Sequence, residues 1–501
     1  MARKMPIFYS ALLLTGVNLM LRFVSTSFQV FLSGRIGASG IGLLQLVLSV
    51  GAFATTAGIA GIRTATMYLT AEQIGRKMPG NVIWVLSACF LYSILCSSLI
   101  SSGLYCFAPK IASEWIGNTG TVRAIRIYAA FLPIYCLCGV MTGYFTAANR
   151  VGTLAAVEIA EQLISLIATI SLLLFYAGTD PVRACQCVIL GSGIGNLLTL
   201  SCLVILRLRE RVSSSPRIPI AKDLFGVAVP LALADDLKAG ISTTENIMVP
   251  KRLALFQGIE NPLAAFGLVC GMVFPILMFP AAIIYGLAEL LIPELARCNA
   301  AGSTRRIRYL VKRSLKVTFL YGCIFCGLEY LLAEHLCLRL YHNTDAGYHL
   351  RLYSLMIPML YCDAITDAMV KGLGQQTYSV RYNILTSSMD VALLFLLLPQ
   401  FGMTGYLLSF FVTHLLNFLL SLRRLGFIAG IAMKLRTPVI ILICTFLSAG
   451  AASFAGNAFV RSISFICLWV SLLFLCRVLG KEDVLWLKRI VMGHDSNKHM
   501  A

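Results

Sequence analysis

Charge is scarce in this chain, and so is any polar stretch long enough to make a soluble domain. Asp, Glu, Lys and Arg make up 13% of its 501 residues, whereas 58% are hydrophobic and the mean hydropathy is +0.83. A water-soluble protein of this size cannot hide so much apolar surface, so a soluble enzyme is excluded. Neither a Walker A sequence nor a Gly-rich nucleotide loop is present, which argues against ATP-driven work by this chain alone. Acidic residues number 22 against 41 basic ones, for a net charge of +19. Such a surplus would suit nucleic acid, but its distribution does not. The basic residues gather in short loops between apolar runs, most densely at Arg207, Arg209, Arg211, Arg217 and Lys222 and at Arg305, Arg306, Arg308, Lys312 and Arg313.

The 17 cysteines are scattered through apolar runs and imply no disulfide framework. Cys323 and Cys326 form a CxxC inside an apolar helix, where redox exchange or zinc binding would lack a polar, accessible setting. His335, His342 and His349 recur at a spacing of seven with nothing else to support a site, so they read as loop surface and no metal is expected.

What is abundant is apolar length. Runs of about 18 or more residues, enough for a ~30 Å hydrocarbon core, recur along the whole chain. Fourteen spans are predicted, at 7–32, 41–69, 82–108, 124–147, 154–177, 183–206, 223–249, 264–291, 314–333, 350–370, 381–399, 404–422, 437–456 and 462–479. A β-barrel would show short alternating segments instead. The first run is too long for a signal-peptide core and reads as a retained span. Most of the basic residues, including both dense clusters, fall on the inner side when both termini are cytoplasmic, as the positive-inside rule favours for an even count. The expected protein is therefore an all-α, multi-pass protein of the cytoplasmic membrane. Its predicted parts are a six-helix lobe over 1–206, a polar, Pro-containing cytoplasmic linker over 207–222, a second six-helix lobe over 223–425, and two additional helices over 437–480.

The two lobes are predicted from an internal repeat. At an offset of 225, Gly42-Leu43-Leu44 recurs as Gly267-Leu268-Val269, Gly61 as Gly286 and Pro133 as Pro358. Span 1 matches span 7 at an offset of 217, with Asn18 on Asp235, Ser25 on Ser242 and Arg35 on Arg252. Repeats of this kind usually enclose a site at their interface. Ionisable groups in a span are costly unless they face protein or water, so their helical spacing marks the faces that do. Asn18, Arg22, Ser25 and Gln29 share one face of span 1, and Glu158, Glu161, Ser165 and Thr169 one face of span 5. Asp235, Lys238, Ser242 and Glu245, with Asp236 beside them, form the stripe of span 7, and Asn383, Ser387 and Asp390 that of span 11. Arg22 has no carboxylate on its own helix; Asp235 and Lys238 could satisfy each other as an i,i+3 ion pair. Arg63 sits late in span 2, within reach of the interface. Asp363, Asp367 and Lys371 step by four toward the end of span 10 and read as a solvated face. Pro275 and Pro280 are expected to interrupt span 8.

At these residues the chain resembles a known family. Residues 12–77, beginning LLLTGVNLMLRF and including Gly-Ile-Gly-Leu-Leu-Gln at 40–45 and Ala57-Gly58-Ile59, are similar to the opening of the stage V sporulation protein B and polysaccharide-export family. Glu161-Gln162, Lys371-Gly372-Leu373-Gly374-Gln375 and Pro399-Gln400-Phe401-Gly402 extend the likeness over nearly the whole chain. The resemblance implies fourteen helices in two lobes, with the last two offering a groove for a polyprenyl tail. It implies a flippase, not an enzyme, that moves a polyprenyl-pyrophosphate-linked saccharide such as a peptidoglycan precursor by alternating access, with a link to sporulation. Partners would be that lipid-linked saccharide and membrane lipids, with no nucleic acid, and one copy would suffice. No resident cofactor is implied, only a coupling cation, H+ or Na+.

On that reading Arg22, helped by Arg63, holds the pyrophosphate, with Asn18, Gln29 and Glu161 nearby. Asp235, Asp236, Lys238, Glu245, Asn383 and Asp390 form the ion-coupling set. The chain departs from its relatives in two places: Gln29 stands where a second basic residue is common, and Asn383 is followed four residues later by Ser387, with the carboxylate displaced to Asp390. A multidrug-cation antiporter of the same superfamily is the alternative, disfavoured by Arg22 and the span count. A saccharide polymerase is a weaker one, since it would carry a large outside loop or a paired-carboxylate centre.

Overall fold

The computed structural model describes residues 7–76, 78–148, 150–209, 221–430 and 436–480, so most of the predicted linker lies outside the described residues. Every regular element described is helical: α1 (Ile7–Ile59), α2 (Ile62–Gly75), α3 (Val82–Lys110), α4 (Val122–Ala147), α5 (Val151–Leu172), α6 (Pro181–Leu208), α7 (Ala221–Leu253), α8 (Pro262–Leu268), α9 (Phe274–Leu277), α10 (Ala281–Ala300), α11 (Thr304–Tyr341), α12 (Thr344–Ser354), α13 (Ile357–Gly372), α14 (Gln376–Ala429), α15 (Arg436–Ser453) and α16 (Ala458–Leu475). A helix closes its own backbone hydrogen bonds, the requirement a bilayer imposes on a crossing segment. Among the described residues nine helices are long and apolar enough to cross, ten when a bent pair is counted as one. The protein is a multi-pass, all-α membrane protein.

Helix breaks differ from prediction in an informative way. Predicted spans 1 and 2 run on as one helix past residue 32, interrupted only at Gly37 (φ 68°), and spans 11 and 12 are likewise joined through Gly402 (φ 56°). Both glycines adopt a left-handed conformation that side chains disfavour, so the chain turns without a loop. Span 2 bends once more where Ala60 and Gly61 take positive φ, between α1 and α2. Span 8 is interrupted as the prolines predict: the segment Pro262–Leu277 meets Ala281–Ala300 at 63°, after a π-helical turn over Val269–Val273.

The chain divides into two compact units, one of residues 1–286 with 383–413 and one of residues 287–382 with 414–501. In the first, Ile62, Val85, Cys89, Val140, Phe145 and Leu203 form a buried core that Leu224 and Ala228 of α7 join. The repeat-related glycines Gly42 and Gly267 pack on each other: a Cβ on Gly267 would lie 2.0 Å from the Ala38 carbonyl oxygen and 2.5 Å from Gly42 N. Small residues at a crossing let backbones approach, which is the main source of helix affinity in lipid. In the second unit Phe465 fills the space left by Gly327, and buried Trp469 donates its indole N–H to Thr445 Oγ1 at 2.9 Å. Cys323 and Cys326 are core residues there.

Candidate functional site

Three adjoining clefts in the first unit run along α7. The one of about 450 Å3 is lined by Thr56, Arg63 and Thr64 on one side and by Asp235, Lys238 and Ser242 on the other. Asp235 and Lys238 do not make the i,i+3 ion pair that their spacing allows. Both side chains are exposed to the cleft, and neither pairs with any described residue. Arg63 also makes no hydrogen bond or ion pair among the described residues, although Glu158 of α5 faces it electrostatically. Two cations thus share one wet cleft with their donors uncommitted. A second cleft, about 820 Å3, is lined by Asp236, Leu237 and Gly240 of α7, Phe53 of α1, and Ser388 and Val391 of α14. One oxygen of Asp236 is buried without a partner there. The third, about 270 Å3, lies between Gln45 and Ser49 of α1 and Thr243 and Asn246 of α7. Asn246 Nδ2 donates to Ser49 Oγ at 3.1 Å, and Thr243 Oγ1 to the Ser49 carbonyl at 3.2 Å, which fixes this face of α7 on α1.

On the same stretch of α7, Glu245 lies close enough to Asp390 of α14 for the two carboxyl groups to interact. Asp390 is buried and also accepts from Ser409 Oγ at 2.5 Å and Thr413 Oγ1 at 3.2 Å. The result is an all-oxygen cluster drawn from three helical segments. Glu245 and Asp390 both belong to the predicted ion-coupling set, while Ser409 and Thr413 were not anticipated. Their spacing of four on span 12 was the available signal.

The remaining predicted residues are placed as follows. Gln29 donates Nε2 to the Gly271 carbonyl at 3.2 Å, tying α1 to the π-helical turn. Glu161 accepts from Thr199 Oγ1 of α6 at 3.2 Å, and the neighbouring Gln162 donates to Ser25 Oγ at 3.3 Å. Arg22 is half-buried on α1 and does not line the three clefts. Asn383 is half-buried on α14, its carbonyl accepting from Thr386. The Asn18 side chain lies outside the described residues. Asp363 does not lie on a solvated face: it is 7% exposed, because His414 and Asn417 close over it.

Further contacts join the end of α7 to other parts of the first unit. Arg252 donates Nε and Nη2 to the Phe395 carbonyl at 3.2 and 2.8 Å, with its guanidinium 3.5 Å from the Phe395 ring centroid. Lys251 donates to the Glu114 carbonyl.

A sequence profile of the polysaccharide biosynthesis protein family matches residues 38–318, more than half of the chain. The chain belongs to this family. Among its relatives, stage V sporulation protein B of Bacillus subtilis (strain 168) is 21% identical over 96% of this chain and 97% of the relative. Sporulation protein YkvU of the same organism is 23% identical over 45% of this chain and 52% of its own. In fold the family member is similar to the lipid II flippase MurJ in an inward closed conformation, with a TM-score of 0.69 at 12% identity over 93% of this chain and 99% of that one. An inward-facing multidrug resistance MATE family transporter gives 0.64 at 15% identity over 84% and 100%. The family member therefore shares its fold with these two proteins.

Proposed function

We propose that this chain is a flippase that moves a polyprenyl-pyrophosphate-linked saccharide, a peptidoglycan or related envelope precursor, across the cytoplasmic membrane by alternating access. The observation that carries the reading is the cleft in which Arg63 and Lys238 approach one volume with their donors uncommitted. A diphosphate offers several anionic oxygens to a guanidinium and an ammonium at once, with Asp235 the one acid on the same cleft lining. Family membership and the full-length likeness to a sporulation protein support an envelope glycan as cargo. With both termini cytoplasmic, the Gly42–Gly267 crossing lies toward the outside and the cleft is served from the inner leaflet.

Coupling is assigned to Glu245 and Asp390. Two carboxylates this close repel each other, so the pair is suited to hold one H+ or to exchange it for a hard monovalent cation such as Na+, which an all-oxygen donor set fits. Occupancy of this cluster would favour one cleft orientation over the other.

The test is binding of an undecaprenyl-pyrophosphate-linked saccharide to purified protein, followed by flipping in proteoliposomes. Each charge-assisted hydrogen bond is worth about 1.5–3 kcal/mol, so Arg63→Ala or Lys238→Ala should weaken binding roughly 10- to 100-fold. Wild-type affinity in both variants would refute the assignment.

A further inference from the structure

Buried in the second unit is an acid–imidazole–amide cluster that the transport reading does not use. Asp363 of α13 is held on both oxygens: Oδ2 lies 3.2 Å from His414 Nδ1, and Oδ1 accepts from Asn417 Nδ2 at 2.9 Å. His414 and Asn417 stand three residues apart on one face of α14. Asp363 and Asn417 are 7% and 6% exposed, while the His414 side chain keeps 38% of its surface open. Asn417 Oδ1 is buried with no partner, leaving an unused acceptor beside the acid.

We propose that Asp363, His414 and Asn417 form a proton-binding site in the second unit, separate from the Glu245–Asp390 pair. An ionised carboxylate can only accept, so the Nδ1 facing it carries the hydrogen of the neutral ring and Nε2 keeps its lone pair. Proton uptake forms an Nε2–H bond at the expense of hydronium, which leaves as water. The imidazolium then stands against the Asp363 carboxylate, and the contact between α13 and α14 changes from a hydrogen bond to an ion pair. Asn417 orients the acid by occupying its other oxygen. Next to Asp363 on α13, Cys362 interacts with Cys323 of α11, the Tyr361 ring lies against Tyr321 of α11, and Asp367 one turn along is engaged with Lys371 and Ser379.

The test is a histidine-selective NMR titration of the full chain in nanodiscs. The chain has six histidines, and His414→Gln identifies the signal to follow. Asp363→Asn is expected to displace the His414 titration curve, with His335→Gln as a control that does not. If Asp363→Asn fails to fold, Asn417→Ala must produce a displacement of its own, because it frees one carboxylate oxygen. A His414 curve that neither variant moves would overturn the proposal. So would a wild-type signal that responds at constant pH to Na+ and not to protons. Because no substrate is used, failure of the flippase reading would leave this result standing, and the reverse.

Discussion

The Gly42–Gly267 crossing offers the sharpest mechanical prediction. Gly267→Ala would place a methyl carbon 2.0 Å from the Ala38 carbonyl oxygen and 2.5 Å from Gly42 N. Both are backbone atoms of a helix and cannot swing aside, so α1 and α8 must part by about 1 Å, at a cost of roughly 1–3 kcal/mol. That cost falls only on the arrangement in which the two helices touch. The equilibrium should therefore move toward the separated arrangement by about 5- to 150-fold. Gly42→Ala should act likewise, its Cβ meeting the Leu263 carbonyl oxygen at 2.3 Å, and the double variant should fall short of the sum because both changes act on one contact. Gly103→Ala, where a Cβ meets nothing within 4 Å, is the control and should leave the equilibrium unchanged. The measurement is the distance distribution between spin labels carried on unnatural amino acids near positions 39 and 260. Destabilisation of Gly267→Ala on heating without a new long-distance population would show that the crossing is only a packing contact.

Two further predictions use other parts of the molecule. Asp390→Ala should be more destabilising than Glu245→Gln, by about 1–3 kcal/mol, since it takes the carboxylate acceptor from the buried Ser409 hydroxyl and leaves it only the backbone carbonyl of residue 390 at 3.4 Å, while Thr413 keeps the Ser409 carbonyl at 2.9 Å; equal melting temperatures would contradict this. On α12, ahead of the predicted span 350–370, burial lowers the His349 pKa below its ordinary 6.5 against the pull of Asp345, so the unfolded chain takes the proton first and stability is lost as pH falls below about 6.5. His349→Gln should remove that contribution to the fall in melting temperature between pH 7.5 and 5, and an unchanged slope would refute it.

Most of the helical architecture was legible because hydropathy acts over many residues at once. Pro275 and Pro280 announced the bend in span 8, since a proline withholds a backbone donor whatever its neighbours are. Continuity through Gly37 and Gly402 was not legible: a glycine permits a left-handed residue but does not require one, and the packing around it decides. Asp363 was misread for a related reason. Its spacing of four to Asp367 and Lys371 describes a stripe on one helix, while its burial depends on His414 and Asn417, about fifty residues later. The i,i+3 spacing of Asp235 and Lys238 allowed an ion pair that forms only where no better solvated arrangement exists. In an open cleft, water supplies one.

The repeat places a similar device in each half, and the difference between them bears on coupling. In the first half the hairpin of α5 and α6 seats Glu161 on the hydroxyl of Thr199 from the returning helix. In the second, α14 folds back at Gly402 and seats Asp390 on Ser409 and Thr413. Strict repetition would carry Glu161 onto Thr386, so the acid has moved one helical turn along the second hairpin. That single turn brings it to Glu245, whereas Glu161 has Glu158 one turn away, facing Arg63. The first hairpin thus presents its acids beside a cation in the polar cleft, and the second pairs its acid with another acid. An acid pair changes its net charge when it takes up or releases a proton. An acid balanced by a fixed guanidinium gains much less from doing so. On the proposed transport reading, coupling is therefore assigned to the half in which the repeat has slipped.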